Sequence, residues 1–195
     1  MKIIINILNK FLLTFLLNCL VAIIIHAQTQ EHVINIKRAV SEIEVDGNLD
    51  ELTWQEADIA KDFYQNFPLD TGYALSKTEV RLTYDDNYFY VGAVCYDEIP
   101  GDYVIQSLKR DFKGTESNDF FAIFIDPFSD KINGFAFAVN PLGVQSEALI
   151  SGGGGWRGIN NSWDNKWYAE VKTYDGKWVV EMAIPYKTLR FKEGI

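Results

Sequence analysis

The sequence predicts an all-β protein built as a two-layer antiparallel β-sandwich of the jelly-roll type. Apolar and polar side chains alternate through most of the chain, which is the side-chain period of a strand with one buried face. Turn residues separate these short stretches at frequent intervals, and only residues 49–57 and 186–189 favour a helical turn. Many short strands with little helix are typical of sandwiches.

The N-terminal part of the predicted domain contains two short strands, at 33–36 and 43–45, followed by a turn at 46–48. The first clear hairpin spans residues 78–96. Its outgoing strand is apolar on one face only, residues 85–87 supply turn chemistry, and its return strand is apolar on both faces. A return strand of that kind lies inside a two-layer stack rather than at an edge.

A second hairpin pairs residues 119–126 with 135–140, and a further strand is predicted at 144–150. Residues 151–162 then include a run of four glycines. Because glycine backbones lose much conformational freedom on ordering, this stretch is predicted to be a surface loop.

The third hairpin pairs residues 167–174 with 177–184. Asp175 and Gly176 lie between the two strands and form a common two-residue turn pair. Pro185 ends the last strand, since proline has no N–H group for a ladder hydrogen bond.

The first 27 residues have the features of a secretory signal peptide. Lys2 and Lys10 make a basic start, residues 11–25 form an apolar run, and His26 and Ala27 precede a polar stretch. The apolar run is shorter than the roughly 20 residues that a membrane-spanning helix needs. We therefore predict cleavage after Ala27, with an uncleaved N-terminal anchor as the alternative.

The predicted mature chain, residues 28–195, has a length that fits one domain. We expect it to be exported to the periplasm, the outer membrane or the extracellular medium. The whole chain has a net charge of −9, and the signal contributes two lysines but no acid. This acidity argues against nucleic acid and anionic membranes as partners, because like charges repel.

Cysteine and histidine are scarce in the predicted mature chain. Cys95 is its only thiol and His32 its only imidazole, so an internal disulfide and a histidine-rich zinc site are excluded and a Ser-His-Asp triad is disfavoured. Within the signal, the residues up to Cys19 resemble a bacterial lipoprotein box, although Asn18 is a poor residue before a modified cysteine. Lipidation at Cys19 stays open.

Several motifs, spaced along the chain from about residue 33 to its end, resemble carbohydrate-binding module family 9. The matching motifs are 43–51 with Trp54, 78–91, 119–126, and 181–185 with Leu189. The chain is also similar to the N-terminal module of longer exported Bacteroidetes proteins, in which a β-rich, barrel-like region of unknown function follows. Since one more strand normally comes after that last motif, the resemblance implies that this chain is a fragment truncated at its C-terminus.

The resemblance implies non-catalytic binding of a polysaccharide or oligosaccharide, with calcium supporting the fold. In the family two tryptophans clamp a sugar, and charged side chains hydrogen-bond its hydroxyls. At the matching positions this chain has Glu116, Ala122 and Ala138, and only Asn140 is retained; the second clamping aromatic would lie beyond Ile195. The resemblance therefore supports the fold but not that particular sugar pocket.

Our candidate carbohydrate-binding residues combine aromatic surfaces with hydrogen-bonding side chains. They are Trp156, Trp163, Trp167, Asn140 and Arg110. Trp156 and Trp163 lie in or beside the glycine-rich loop, where packing explains a large aromatic poorly, although loop anchoring is the alternative. Trp167 begins a strand and fits either role. We expect two other tryptophans in the core: Trp54, closing the end of the sandwich, and Trp178.

Two acidic turns are candidate sites for a structural calcium ion, and no other cofactor is required. Asp85 and Asp86 lie in one turn, and Asp126 and Asp130 lie in another. Calcium is bound by six to eight oxygen atoms from such loops. Ordinary turn chemistry is the alternative for both.

Three functions are left open by the sequence. The first is carbohydrate binding without catalysis, as a module of a protein linked to polysaccharide breakdown or uptake. The second is an interaction or gating module for a downstream β-barrel in the outer membrane. The third is part of a glycoside hydrolase, which needs two carboxylates about 5–5.5 Å apart. Glu147 and Glu181 lie within strands and are the candidates for such an inward-facing pair, although we expect strand acids to face solvent.

Overall fold

Two stacked β-sheets form the protein, as the alternation of side chains predicts. The computed structural model describes residues 33–66, 70–98, 102–112, 118–152 and 158–189. The strands of the larger sheet are β1 (Lys37–Arg38), β2 (Ile59–Ala60), β3 (Thr78–Tyr84), β4 (Tyr88–Tyr96), β9 (Tyr168–Tyr174) and β10 (Lys177–Pro185). The strands of the smaller sheet are β5 (Phe121–Ile125), β6 (Gly134–Val139), β7 (Gln145–Ile150) and β8 (Ile159–Asn160). The one helix within the described residues, α1, spans Leu52–Glu56.

The strand pairing confirms the three hairpins. The larger sheet has the order β1-β3-β4-β10-β9, with β2 also pairing β3, and the smaller sheet has the order β5-β6-β7-β8. β1 runs parallel to β3, and the other pairs are antiparallel. The first and third hairpins meet through β4 and β10, so the return strand of the first hairpin lies inside the sheet as expected.

Local details differ from the sequence-based expectations at three places. The first strand lies at Lys37–Arg38 rather than at 33–36. Residues 43–45 form no strand and instead cross the larger sheet. In the predicted glycine-rich loop, β8 pairs with the end of β7 and extends the smaller sheet by one short strand.

The main core lies between the sheets and is built from alternate residues of the long strands. The buried side chains from the larger sheet include Val91, Ala93, Trp178, Val180, Met182 and Ile184, and those from the smaller sheet are Phe135, Phe137 and Val139. Each set has the period of two that places every second side chain on one face of a strand. Trp178 is a core residue, as predicted.

A second buried cluster lies on the other side of the larger sheet, on its outer face. Residues 43–54, here called the strap, cross this face and pack Ile43 and Trp54 against Tyr90 and Ala183. Trp54 is buried as predicted, but it covers the outer face of the sheet rather than the end of the sandwich. No helix in the described part of the chain is both long enough and apolar enough to cross a membrane.

The strap is held by one buried carboxylate of β10. Glu181 accepts hydrogen bonds from the backbone N–H groups of Asp46 at 2.9 Å and Gly47 at 3.0 Å, and from Trp54 Nε1 at 2.9 Å. Gly47 has φ +83°, a conformation that favours glycine. The turn at residues 46–48 and Trp54 thus bring two backbone N–H donors and one indole N–H onto the carboxylate of Glu181.

Candidate functional site

Two of the predicted binding residues, Arg110 and Trp167, meet around a buried carboxylate. Glu147 of β7 is 1% exposed. Its Oε1 accepts hydrogen bonds from Arg110 Nη2 at 2.6 Å and from the N–H of Asn165 at 3.1 Å, and its Oε2 accepts one from Trp167 Nε1 at 3.1 Å. Arg110 also donates to Gln145 Oε1 at 3.0 Å, while its side chain stays 43% exposed. Of this cluster, Arg110 is the group that a ligand can reach.

The two described tryptophans of this region pack against phenylalanines of β6. Trp167 is buried, with its ring centroid 5.3 Å from that of Phe137. Trp163 is partly buried and lies 5.1 Å from Phe135 and 6.0 Å from Phe137. Trp167 therefore serves the core rather than an exposed stacking surface, and the contacts of Trp163 give it the anchoring role. Trp156 lies outside the described residues.

The side chain of Asn140 forms its hydrogen bonds within the turn between β6 and β7. The residue is buried, and its Oδ1 accepts hydrogen bonds from the N–H groups of Leu142 and Val144, both at 3.0 Å. A side-chain oxygen that binds the backbone two residues on is a common turn device. Asn140 therefore has a structural role in this turn, and its contact with a sugar hydroxyl stays a prediction.

Two positions at which the family has sugar ligands do meet in the structure, but they hold only methyl groups. Ala122 and Ala138 are direct cross-strand partners on the outer face of the smaller sheet, and Ser146 is the next partner across. Glu116, the third such position, lies outside the described residues. At these two positions, therefore, the chain offers a sugar no hydrogen-bonding side chain.

The first acidic turn uses its carboxylates in local contacts. Asp85 Oδ1 accepts hydrogen bonds from the N–H groups of Asn87 and Tyr88, both at 2.7 Å, and Oδ2 accepts one from the Tyr90 hydroxyl at 3.0 Å. Burial raises the pKa of Asp85, but these donors outweigh it and hold the pKa below its ordinary value. Asp86 pairs with Arg38 at 2.6 Å.

The second acidic turn is built in the same way. Asp126 accepts hydrogen bonds from the N–H groups of Phe128 at 3.0 Å and Lys131 at 2.8 Å. Asp130 accepts them from the N–H groups of Ile132 and Asn133, both at 2.7 Å, which lowers its pKa. Within the described ranges no three His, Cys, Asp or Glu side chains are grouped to hold a metal ion. Turn capping accounts for Asp85, Asp126 and Asp130, and the ion pair with Arg38 accounts for Asp86. Calcium at either turn stays a prediction.

The two strand glutamates are buried, so the expectation that they face solvent is wrong. Glu181 is 0% exposed and belongs to the outer face of the larger sheet, because its neighbours Val180 and Met182 point into the main core. Glu147 faces that core beside its cross-strand partner Phe137. Since the larger sheet separates them, these carboxylates do not form the pair that glycoside hydrolysis requires.

The environment of Glu181 also changes its acidity. Burial raises its pKa to about 7, while the three N–H donors act in the opposite direction. The carboxyl of Glu51 lies close enough to add to the increase. Glu181 is therefore a structural group whose charge changes near neutral pH.

Two hollows open on the outer face of the larger sheet, one toward each end of β9. The first, here called the Tyr174 hollow, has a volume of about 490 Å³. Its polar lining consists of Asn48, Asp50, Gln55, Glu79, Arg81, Tyr96, Tyr174 and Lys177. The second, here called the Tyr168 hollow, has a volume of about 450 Å³ and is lined by aliphatic residues, by tyrosines and Trp167, and by one amide, Gln145, and one acid, Glu170. Neither hollow is predictable from local sequence patterns, because long-range contacts bring the strap that shapes them onto the sheet.

Comparison with known proteins identifies the family of the chain. Residues 45–194 match the family model described as carbohydrate family 9 binding domain-like. No curated protein matches the chain in sequence.

Two solved structures of a carbohydrate-binding module family 9 protein from Caldicellulosiruptor kristjanssonii are similar in fold. The complex with cellotriose has a TM-score of 0.51 and 18% identity, covering 77% of this chain and 66% of that one. The complex with glucose has a TM-score of 0.52 and 17% identity, covering 77% and 68%. The matched region thus spans about two thirds of the length of these proteins, and identities this low show the fold alone. Since the family model covers most of the chain, this protein belongs to the carbohydrate family 9 binding domain-like family.

Proposed function

We propose that this chain binds carbohydrate without catalysing a reaction. The observation that carries the proposal is its membership of the family over residues 45–194. Two structural neighbours were solved with cellotriose and with glucose, which favours an oligosaccharide or polysaccharide as the ligand. The separation of Glu147 from Glu181 supports binding rather than hydrolysis by these two groups.

The outer face of the larger sheet offers the kind of surface that a sugar needs. Sugar rings combine apolar C–H faces with hydroxyl groups, so their sites combine aromatic side chains with a few hydrogen-bonding groups. The hollows beside the strap have both. The alternative position is the region of Trp163, where the exposed part of Arg110 is the available hydrogen-bond donor.

Calorimetry with soluble glycans tests this function directly. The purified chain is titrated with glucose, cellotriose and a panel of oligosaccharides of other linkages, and each ligand is also tested for an increase in melting temperature. We expect binding of at least one glycan, because a ligand that binds only the folded state stabilises it. A chain that gives neither heat nor a shift with any of these glycans does not have the proposed function.

Structural calcium and export belong to the same proposal. If calcium is bound at the turn of Asp85 or at that of Asp126, removing it with a chelator lowers the melting temperature, and adding it back restores the original value. Asp85→Asn and Asp126→Asn then show which turn is responsible.

Export is tested by expressing the full-length chain and sequencing the mature N-terminus, which we expect at Gln28. An unchanged melting temperature or an intact Met1 would contradict the respective part.

A second candidate function is an interaction module for a downstream β-barrel region. The observation that favours it is the outer face of the smaller sheet, where Ala122, Ala136 and Ala138 lie beside Phe124, which is 65% exposed. Exposed aromatic and small apolar side chains on one face are typical of contact surfaces. The reading frame beyond Ile195 tests this function, because amphipathic strands flanked by aromatic girdles are expected there.

A further inference from the structure

The Tyr174 hollow has balanced charges in a chain that is strongly acidic overall. Its two acids, Asp50 and Glu79, are matched by its two bases, Arg81 and Lys177, whereas the whole chain has a net charge of −9. A charged ligand is favoured by a site with charge of the opposite sign. A site whose charges cancel, but which keeps both donors and acceptors, suits a neutral ligand with many hydroxyl groups.

The polar groups of this hollow have hydrogen-bonding capacity left over. Among the described residues, the guanidinium of Arg81 makes one hydrogen bond, from Nη2 to Glu79 Oε2 at 3.3 Å. A guanidinium has five N–H donors. The Arg81 side chain is only 18% exposed, so most of it packs against the surrounding residues. Donors held in place in this way are what a hydroxyl-rich ligand needs for orientation.

The aromatic wall of the hollow is also held in place. Tyr174 is 43% exposed, and a hydrogen bond of 2.9 Å joins its hydroxyl to Asn48 Oδ1 of the strap. The ammonium of Lys177 lies 5.7 Å from the centre of the ring. Val94 and Val179 supply apolar surface beneath. The result is a rigid aromatic and apolar surface next to charged groups, which matches the two kinds of surface on a sugar ring.

The Tyr168 hollow lacks this balance, although it is similar in size. Its charged residue is Glu170 and its amide is Gln145, while the rest of its lining is apolar or aromatic. No cation of its lining balances Glu170, and the ammonium of Lys166 lies outside the lining, 5.5 Å from the centre of the Tyr168 ring. The two hollows therefore differ in chemistry rather than in volume, and both volumes fall within the range of about 300–1,000 Å³ that is common for ligand pockets.

We propose that the Tyr174 hollow is the carbohydrate site of this chain and that it selects uncharged glycans over acidic ones. This inference rests on the proposed function, and it names the position and the ligand class. It places the site on the outer face of the larger sheet, whereas the family positions occupied by Ala122 and Ala138 lie on the smaller sheet.

Two tyrosines of β9 provide a matched pair of variants. Tyr168 and Tyr174 lie on the same face of the same strand, with exposures of 40% and 43%, and each has a lysine ammonium near its ring, at 5.5 Å and 5.7 Å. Calorimetry with cellotriose, or with the best neutral glycan of the panel, compares Tyr174→Ala with Tyr168→Ala. We expect Tyr174→Ala to weaken binding at least about tenfold and Tyr168→Ala to weaken it less than about twofold. Circular dichroism and melting curves show that both variants are folded.

Two further readouts test the ligand class. Oligogalacturonate should bind at least about tenfold more weakly than a neutral oligosaccharide of the same length, because no net positive charge attracts it. The affinity for the neutral glycan should not change between about 50 and 500 mM salt, since screening acts on charges. Equal losses in the two tyrosine variants, or stronger binding of the acidic glycan, would overturn the inference while the proposed function stands. A wild-type chain that binds no glycan would overturn both.

Discussion

At the scale of single residues, the protein keeps two carboxylates buried by giving each of them an indole donor. Glu147 accepts from Trp167 Nε1 at 3.1 Å, and Glu181 accepts from Trp54 Nε1 at 2.9 Å. Backbone N–H groups complete both arrangements. A buried charge without such donors costs several kcal/mol. Trp54, predicted as a core residue, and Trp167, predicted as a sugar contact or a core residue, therefore also act as hydrogen-bond donors.

The ion pair of Glu147 gives the first prediction. Arg110→Ala removes the cation but leaves a buried carboxylate, so we expect the free energy of unfolding to fall by about 2 kcal/mol, less than for a fully buried pair because Arg110 is half exposed. Arg38→Ala is the control, since it breaks the exposed pair with Asp86 and should lower the free energy of unfolding much less than Arg110→Ala does. Urea unfolding measures both. Equal losses would show that the burial of Glu147 adds nothing to the pair.

The pKa of Glu181 gives the second prediction. The folded pKa of about 7 lies above the ordinary value of 4.5, so the folded state binds more protons between these values. The stability that this group contributes is therefore fully present below about pH 4.5 and is lost as the pH rises through 7. We expect the free energy of unfolding to fall by at most about 3 kcal/mol across this interval. Urea unfolding at pH 5 and pH 8 measures the difference.

The matched variant for this measurement is Glu181→Gln. It removes the titrating group, so it should flatten the pH dependence between pH 5 and 8, even though its amide satisfies the three N–H donors less well. An unchanged slope in this variant would assign the pH dependence to another group.

At the scale of elements, the strap shapes the two hollows on the outer face of the larger sheet. It lies close to the centre of β4, because a Cβ atom on Gly92 would lie 2.7 Å from Leu49 Cδ2 and 3.2 Å from Trp54 Cζ3, so that the Leu49 side chain would have to move. Glycine inside a strand is otherwise unfavourable. Its presence in β4 is explained by the close approach of the strap.

Gly92→Ala gives the third prediction. The added methyl group forces Leu49 and Trp54 away from the sheet, and we expect a loss of about 1–2 kcal/mol in the free energy of unfolding. Gly72→Ala is the control, since a Cβ there meets nothing within 4 Å. If Gly92 tolerates alanine as well as Gly72 does, the strap is not packed closely on β4.

The elements also show what the sequence can predict. The three hairpins follow from local alternation and turn residues such as Asp175 and Gly176, and the structure has all three. The hydrogen bond from Trp54 to Glu181 joins residues 127 positions apart, and that from Arg110 to Glu147 joins residues 37 apart. Such contacts depend on which faces pack together, so alternation alone does not reveal the burial of either glutamate or the hollows beside the strap.

At the scale of the whole molecule, one continuous core packs between the two sheets and supports the larger sheet, whose outer face carries the two hollows. The cluster includes Val91 and Met182 from the larger sheet and Phe137 from the smaller one, and Cys95 lies within it. Among the described residues, Cys95 is a free, buried cysteine. The packing of this core contributes to the free energy of unfolding, and such cores open cooperatively in small domains.

Cys95 provides the fourth prediction, because its thiol reports the opening of this core. Burial raises its pKa to about 12, and only the thiolate reacts with disulfide reagents. In the folded protein at pH 8 we expect labelling at least about a thousandfold slower than that of a free thiol, and rapid labelling in urea. Peptide mapping by mass spectrometry separates Cys95 from Cys19. If the core opens as one unit, Gly92→Ala is labelled faster than the wild type, by the factor that corresponds to its lower free energy of unfolding. Fast labelling of the folded wild-type chain would instead mean that this end of the sheet opens by itself.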